Sequence, residues 1–117
     1  MAFTFTSAEI ADALLEQAQA GVVVQGVIES RNAGQDYSQY NRLQAVVHDV
    51  LPDGNPYIMH HKVIIIDDAT VILGSYNFTV SAEDANDENT LIIHDSEVAA
   101  LFVAEFGRVY EQARNAD

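Results

Sequence analysis

The feature that most limits what this chain can fold into is a pair of short apolar, β-branched runs joined by turn-forming residues. Lys62 to Ile66 and Thr70 to Leu73 flank Asp67-Asp68-Ala69. Branching at Cβ favours an extended backbone and Asp suits tight turns, so the stretch predicts a strand, a turn and a second strand. Side chains alternate along a strand, so His60 and Lys62 share one face while His61 points to the other. Gly74 then removes a side chain where the backbone passes close to something, and Ser75 and Asn77 share a side if the chain stays extended.

These residue types suit phosphoryl chemistry. A neutral imidazole is a competent nucleophile, a lysine offers a fixed positive charge, and Ser and Asn offer neutral donors to oxygens that gain charge in the transition state. The spacing H-x-K-x4-D-x6-G-S-x-N, carried by His60, Lys62, Asp67, Gly74, Ser75 and Asn77, resembles the HKD signature of the phospholipase D superfamily. The resemblance runs on through Glu88-Asn89 and the final helix, and back through the helix that follows Ser7.

The resemblance implies an α/β fold, a mixed sheet flanked by helices, and a metal-independent phosphodiesterase working through a phosphohistidine without a cofactor. In that reading His60 is the nucleophile, Lys62 and Asn77 bind the phosphoryl oxygens, and Ser75 adds a hydroxyl. Glu88 matches the family's glutamate that hydrogen-bonds a catalytic imidazole, as a triad acid does. Asn89 supports it, and Asp67 and Gly74 are structural or lie behind the site. The family's chemistry uses two such motifs, one histidine attacking and the other protonating the leaving oxygen. This chain has one. It is therefore expected to form a homodimer with each His60 near the two-fold axis, or to pair with another HKD half. Nuclease-like hydrolysis of DNA or RNA is the first expectation. A phospholipid phosphodiesterase or transphosphatidylase, and a non-catalytic half of a tandem-motif protein, are the alternatives.

Charge complicates the substrate. Lys62 is the only lysine among eighteen acids, and the net charge is −13. Binders of polyanions usually carry a basic footprint, which this chain lacks, so one reading is that the substrate is not a long nucleic acid. Adaptation to high salt, where surface repulsion is screened, is one reading of the acidity; an ordinary acidic domain is the other. The absence of cysteine excludes disulfides and thiolate metal sites. A metal site built from His48, Asp49, His60 and Asp67 matches no recognised ligand spacing. With no apolar run of membrane-spanning length and no leader, a cytoplasmic protein is expected. The 117 residues suit one domain, 1–117, and the strand-like start suggests the C-terminal part of a longer chain.

Elsewhere, Met1 to Thr6 alternates like a strand end. Ser7 caps a helix over Ala8 to Ala20, stopped by Gly21. Val22 to Ile28 reads as a buried strand parallel to the first, because a helix connects them. Ser30 to Gln39 reads as a loop, Tyr40 to Val47 as a short helix and Asp49 to Leu51 as a short strand. Pro52 to Pro56 is a turn cluster, with Tyr57 and Met59 after it expected in the core. Phe78 to Asn86 reads as a loop and Thr90 to Ile93 as a strand. Ser96, as N-cap, opens a helix to Arg114 whose apolar stripe includes Leu101 and Phe106, with Glu105 the polar exception. His61, His48 and His94 are read as structural, the last two at strand ends.

Overall fold

The hairpin forms where the β-branched runs place it. The computed structural model describes residues 1–116. In chain order the elements are α1 (Ala8–Gln19), β1 (Gly26–Ile28), α2 (Ser30–Ala33), α3 (Tyr40–Val47), β2 (Val50–Pro52), β3 (Val63–Ile66), β4 (Thr70–Gly74), α4 (Val80–Asp84), β5 (Thr90–His94) and α5 (Ser96–Arg114). β3 pairs antiparallel with β4 from Val63↔Leu73 to Ile66↔Thr70, and β5 adds to the other edge of β4. Asp67 and Asp68 take φ values of 54° and 52°. Both central residues of the turn are thus left-handed, the geometry that matches the twist of the strands it joins.

β1 and β2 form a parallel pair, Gly26↔Val50 to Ile28↔Pro52. The sheet architecture is therefore mixed, as expected, but in two pieces. The first residues join them without forming a regular strand. Ala2 bridges Ile28 in the parallel sense and Lys62 in the antiparallel sense, and Phe5 bridges Phe78. The backbone bonds alternate accordingly: Ala2 N–H donates to Val27 O at 2.9 Å, and Phe3 N–H to His61 O at 2.8 Å.

Alternation along β1 sorts two cores. Val27 packs with Met59, Val109 and Ala113, whereas Ile28 packs with Leu15, Leu43 and Val50. Val63 and Val71 meet Ala99 and Phe102. So α5 covers one face of both sheets, and α1 with α3 covers the opposite face over β1 and β2. Val71 is fully buried, which for a valine is worth roughly 1.5–3 kcal/mol of removal from water.

Several expectations need correction. The strand over Val22 to Ile28 shrinks to Gly26–Ile28, because β2 offers only three partners and Val22 N–H still donates to Gln17 O at the end of α1. Val22 and Val23 are exposed rather than buried. The expected loop over Ser30 to Gln39 contains α2. Acids from outside the helix satisfy its first turn: Glu29 accepts from Asn32 N–H at 2.9 Å and Asp53 from Ser30 N–H at 2.6 Å. The loop over Phe78 to Asn86 contains α4, capped by the Thr79 hydroxyl accepting from Ala82 N–H at 3.1 Å. The N-cap of α5 is Asp95, not Ser96. Its carboxylate accepts from Glu97 N–H and Val98 N–H, and a negative charge suits that end of a helix. His48 caps the C-terminus of α3 with φ 60° instead of ending a strand. Met59 is core, but Tyr57 and Leu101 are exposed. No helix among the described residues is long and apolar enough to cross a membrane.

Candidate active site

β3 and β4 pair up to Val63 opposite Leu73, so Lys62 and Gly74 leave the hairpin side by side. His60 and Lys62 do share a face. The Lys62 ammonium lies 3.2 Å from Nε2 and 3.4 Å from Nδ1 of His60, and donates to the His60 carbonyl at 3.1 Å. Burial lowers the Lys62 ammonium from its ordinary range, and the negative charge of Glu88 partly offsets this. That coupling places Glu88 within electrostatic reach of the lysine.

The reverse face is a separate network. His61 Nε2 is 2.9 Å from Glu105 Oε1, and Arg108 donates to both Glu105 oxygens at 2.9 and 2.7 Å. The guanidinium first, then the imidazole, hold the Glu105 carboxyl down to about 2. The polar exception in the stripe of α5 thus meets a polar side chain, His61, that strand alternation sends toward that helix.

The segments after β4 and before β5 are tied to each other. Ser75 N–H donates to Asn89 O and Oδ1, each at 3.1 Å, and Asn89 N–H returns a bond to Ser75 Oγ at 3.1 Å. The Ser75 hydroxyl donates to Glu88, whose other oxygen accepts from Asn86 Nδ2 at 3.3 Å. Within the chain Glu88 therefore engages Ser75, not His60. Gly74, at φ 155°, has room for no side chain: a Cβ there would fall inside contact distance of the Asn89 carbonyl.

Asn77 follows two residues later. Its Oδ1 is buried without a hydrogen-bond partner, a costly arrangement unless a donor arrives. No hydrogen bond joins it to His60 or Lys62. Asp67 is not near these groups. It occupies the turn at the far end of β3, about 16 Å from Lys62 at roughly 3.3 Å per residue. Its contribution is the left-handed turn. Among the described residues no cluster of three or more His, Asp or Glu is arranged to hold a metal ion.

Nothing in the local sequence pattern singles out Phe3. Its ring meets the His60 ring at 4.6 Å between centroids, inclined at 63°, and Lys62 Nζ sits 5.2 Å from its centroid. The only advance signal is that Phe3 and Phe5 alternate with polar residues in the N-terminal segment.

Residues 1–110 match the family model described as cardiolipin synthase, PLD-like domain. The chain belongs to the phospholipase D superfamily. Among relatives of this PLD-like chain, the phospholipase D of Rickettsia conorii is 40% identical over 102 residues, covering 87% of this chain and 51% of the relative. The mitochondrial cardiolipin hydrolase of Homo sapiens is 37% identical over 110 residues, 94% of this chain and 44% of the relative. The PLD-like chain thus spans about half the length of these relatives. Its fold superimposes on Nuc of Salmonella typhimurium, a phospholipase D family member, with a TM-score of 0.86 and 32% identity over 96% of this chain and 76% of that one. NucT of Helicobacter pylori gives a TM-score of 0.89 at 27% identity, covering 95% and 76%.

Proposed function

We propose that the chain is one half of a metal-independent phosphodiesterase that cleaves nucleic acid through a phosphohistidine. The observation that carries this reading is the His60–Lys62 pair: a nucleophile and a fixed cation within 3.2 Å on one exposed face, with Glu88 in electrostatic reach. A His60 ring nitrogen attacks phosphorus, a P–O bond breaks, and the departing oxygen takes a proton. Water then attacks the phosphohistidine and releases the imidazole. Lys62 and the Asn77 carboxamide offset the charge that builds on the phosphoryl oxygens, and the Ser75 hydroxyl adds to them by turning its proton from Glu88 to the substrate.

A general acid is needed to protonate the departing oxygen, and the same group then takes the proton of the attacking water, a contribution of roughly 10²- to 10⁴-fold. His60 and Ser75 lie exposed in the single chain, which supports completion of the site by a second copy across a two-fold axis. Each copy then offers one imidazole, and the substrate's asymmetry decides which attacks. The likeness to Nuc, a phospholipase D family member, and to NucT over nearly the whole chain supports the phosphodiesterase reading. The sequence relatives named phospholipase D and cardiolipin hydrolase favour a phospholipid diester as the second reading.

Incubation with single-stranded DNA, bis(p-nitrophenyl) phosphate and phospholipid vesicles, all in EDTA, separates these readings. Cleavage of DNA and the chromogenic diester, lost in His60→Ala, is expected. Turnover that persists in His60→Ala overturns the assignment, and light scattering that finds an active monomer overturns the paired site.

A further inference from the structure

We propose that Phe3 is the positioning residue that holds His60 and Lys62 in their reactive arrangement, an inference that rests on the hydrolase reading above. One ring touches both side chains, His60 edge to face at 4.6 Å and the Lys62 ammonium at 5.2 Å. It carries no group that can move a proton or bind phosphate. What it supplies is geometry. An exposed imidazole and a four-carbon lysine stem would otherwise spread over several rotamers, and an aromatic face attracts both an ammonium and a second ring at defined distances.

The Phe3 backbone that carries the ring is itself held at both its N–H and its carbonyl. Phe3 N–H donates to His61 O at 2.8 Å, so it is bonded to the residue between the two it positions. Phe3 O accepts from Asn32 Nδ2 at 2.8 Å, and Asn32 is held in turn by its N–H to the Glu29 carboxylate. Glu29 is 2% exposed. The four-residue α2 therefore clamps the backbone of Phe3 at its carbonyl, as His61 does at its N–H. Glu29, Asn32 and Phe3 thus link a buried acid to the His60 ring through two hydrogen bonds and one ring contact.

The test compares Phe3→Leu, which keeps apolar bulk without a ring, with Phe3→Tyr, which keeps the ring. Phe3→Met is measured alongside in case Leu prevents folding. With bis(p-nitrophenyl) phosphate in EDTA, the ringless variants should lose about tenfold or more in kcat with KM within about twofold, since misplacement of a reacting group costs rate rather than binding. Phe3→Tyr should restore kcat. In the NMR spectrum the His60 ring protons should lose a ring-current shift in Phe3→Leu and keep it in Phe3→Tyr, while His94 stays put. Wild-type kcat in the ringless variants, a loss confined to KM, or failure of Tyr to rescue overturns the proposal. If the wild-type protein turns over nothing, the hydrolase reading fails by itself. The His60 resonances then decide the positioning contact, and resonances unmoved in Phe3→Leu overturn it too.

Discussion

Replacing Gly74 by alanine should be strongly damaging, and the reason is local. Gly74 has φ 155°, and a Cβ built on it would lie 3.0 Å from the Asn89 carbonyl carbon and nearer still to its oxygen. A backbone region populated essentially by glycine costs a non-glycine residue about 1–3 kcal/mol. The overlap adds to this, because the atom in the way is backbone in the segment leading into β5. Relieving it pulls Asn89 from Ser75, loosening the two 3.1 Å bonds to Ser75 N–H and the one returned to Ser75 Oγ. A total near 3 kcal/mol is expected, a large share of the roughly 5–15 kcal/mol that holds a domain together. At a urea slope of about 1.5 kcal/mol per molar, the unfolding midpoint should fall by roughly 2 M. Gly107 is the internal control: it lies within α5, and a Cβ there meets nothing within 4 Å. Gly107→Ala should raise the midpoint, since alanine in a helix interior is favoured by about 0.5–1 kcal/mol. Equal midpoints for wild type and Gly74→Ala, or a loss in Gly107→Ala as large as in Gly74→Ala, would refute the reasoning.

Two further outcomes follow from charge. Glu105 is depressed to about 2 by Arg108 and His61, so its contribution to stability is present above the ordinary carboxylate range and lost as pH falls toward 2. Glu105→Gln should flatten that acid limb in a denaturation series across pH 5 to 2; an unchanged slope contradicts the ion-pair account. With a net charge of −13, self-repulsion should weaken as KCl rises and the screening length falls from about 10 Å at 0.1 M to about 3 Å at 1 M. Thermal midpoint and turnover should climb across that range, and a decline in both counts against adaptation to salt.

The hairpin is legible in the sequence because β-branched residues and an Asp pair state strand and turn within eight positions, and both Asp residues do take positive φ. The long α5 is legible from its 3.6-residue stripe, in which Glu105 stands out as the polar member that His61 explains. α2 and α4 are not. Helices of four and five residues are too short for periodicity to register, and α2 depends on Asp53, 23 positions away, for one of its caps. Phe3 escapes notice for the same reason. Its contacts with His60 and Lys62 are made only when the N-terminal segment lies against the motif strand, a long-range pairing that local pattern does not encode. Residues at a fixed motif spacing can be read, but not their bonds: Glu88 goes to Ser75 within the chain, and Asp67 stands at the far end of the hairpin.

The claim on which the account depends is that His60 becomes covalently bound to phosphorus. Rapid mixing with a chromogenic phosphodiester in EDTA, an alkaline quench that preserves phosphohistidine, and mass spectrometry of the peptide carrying His60 measure this directly. The account predicts a phosphoryl adduct on His60 that appears before steady-state turnover and is absent in His60→Ala. Full turnover with no adduct, or an adduct on any other residue, would contradict it.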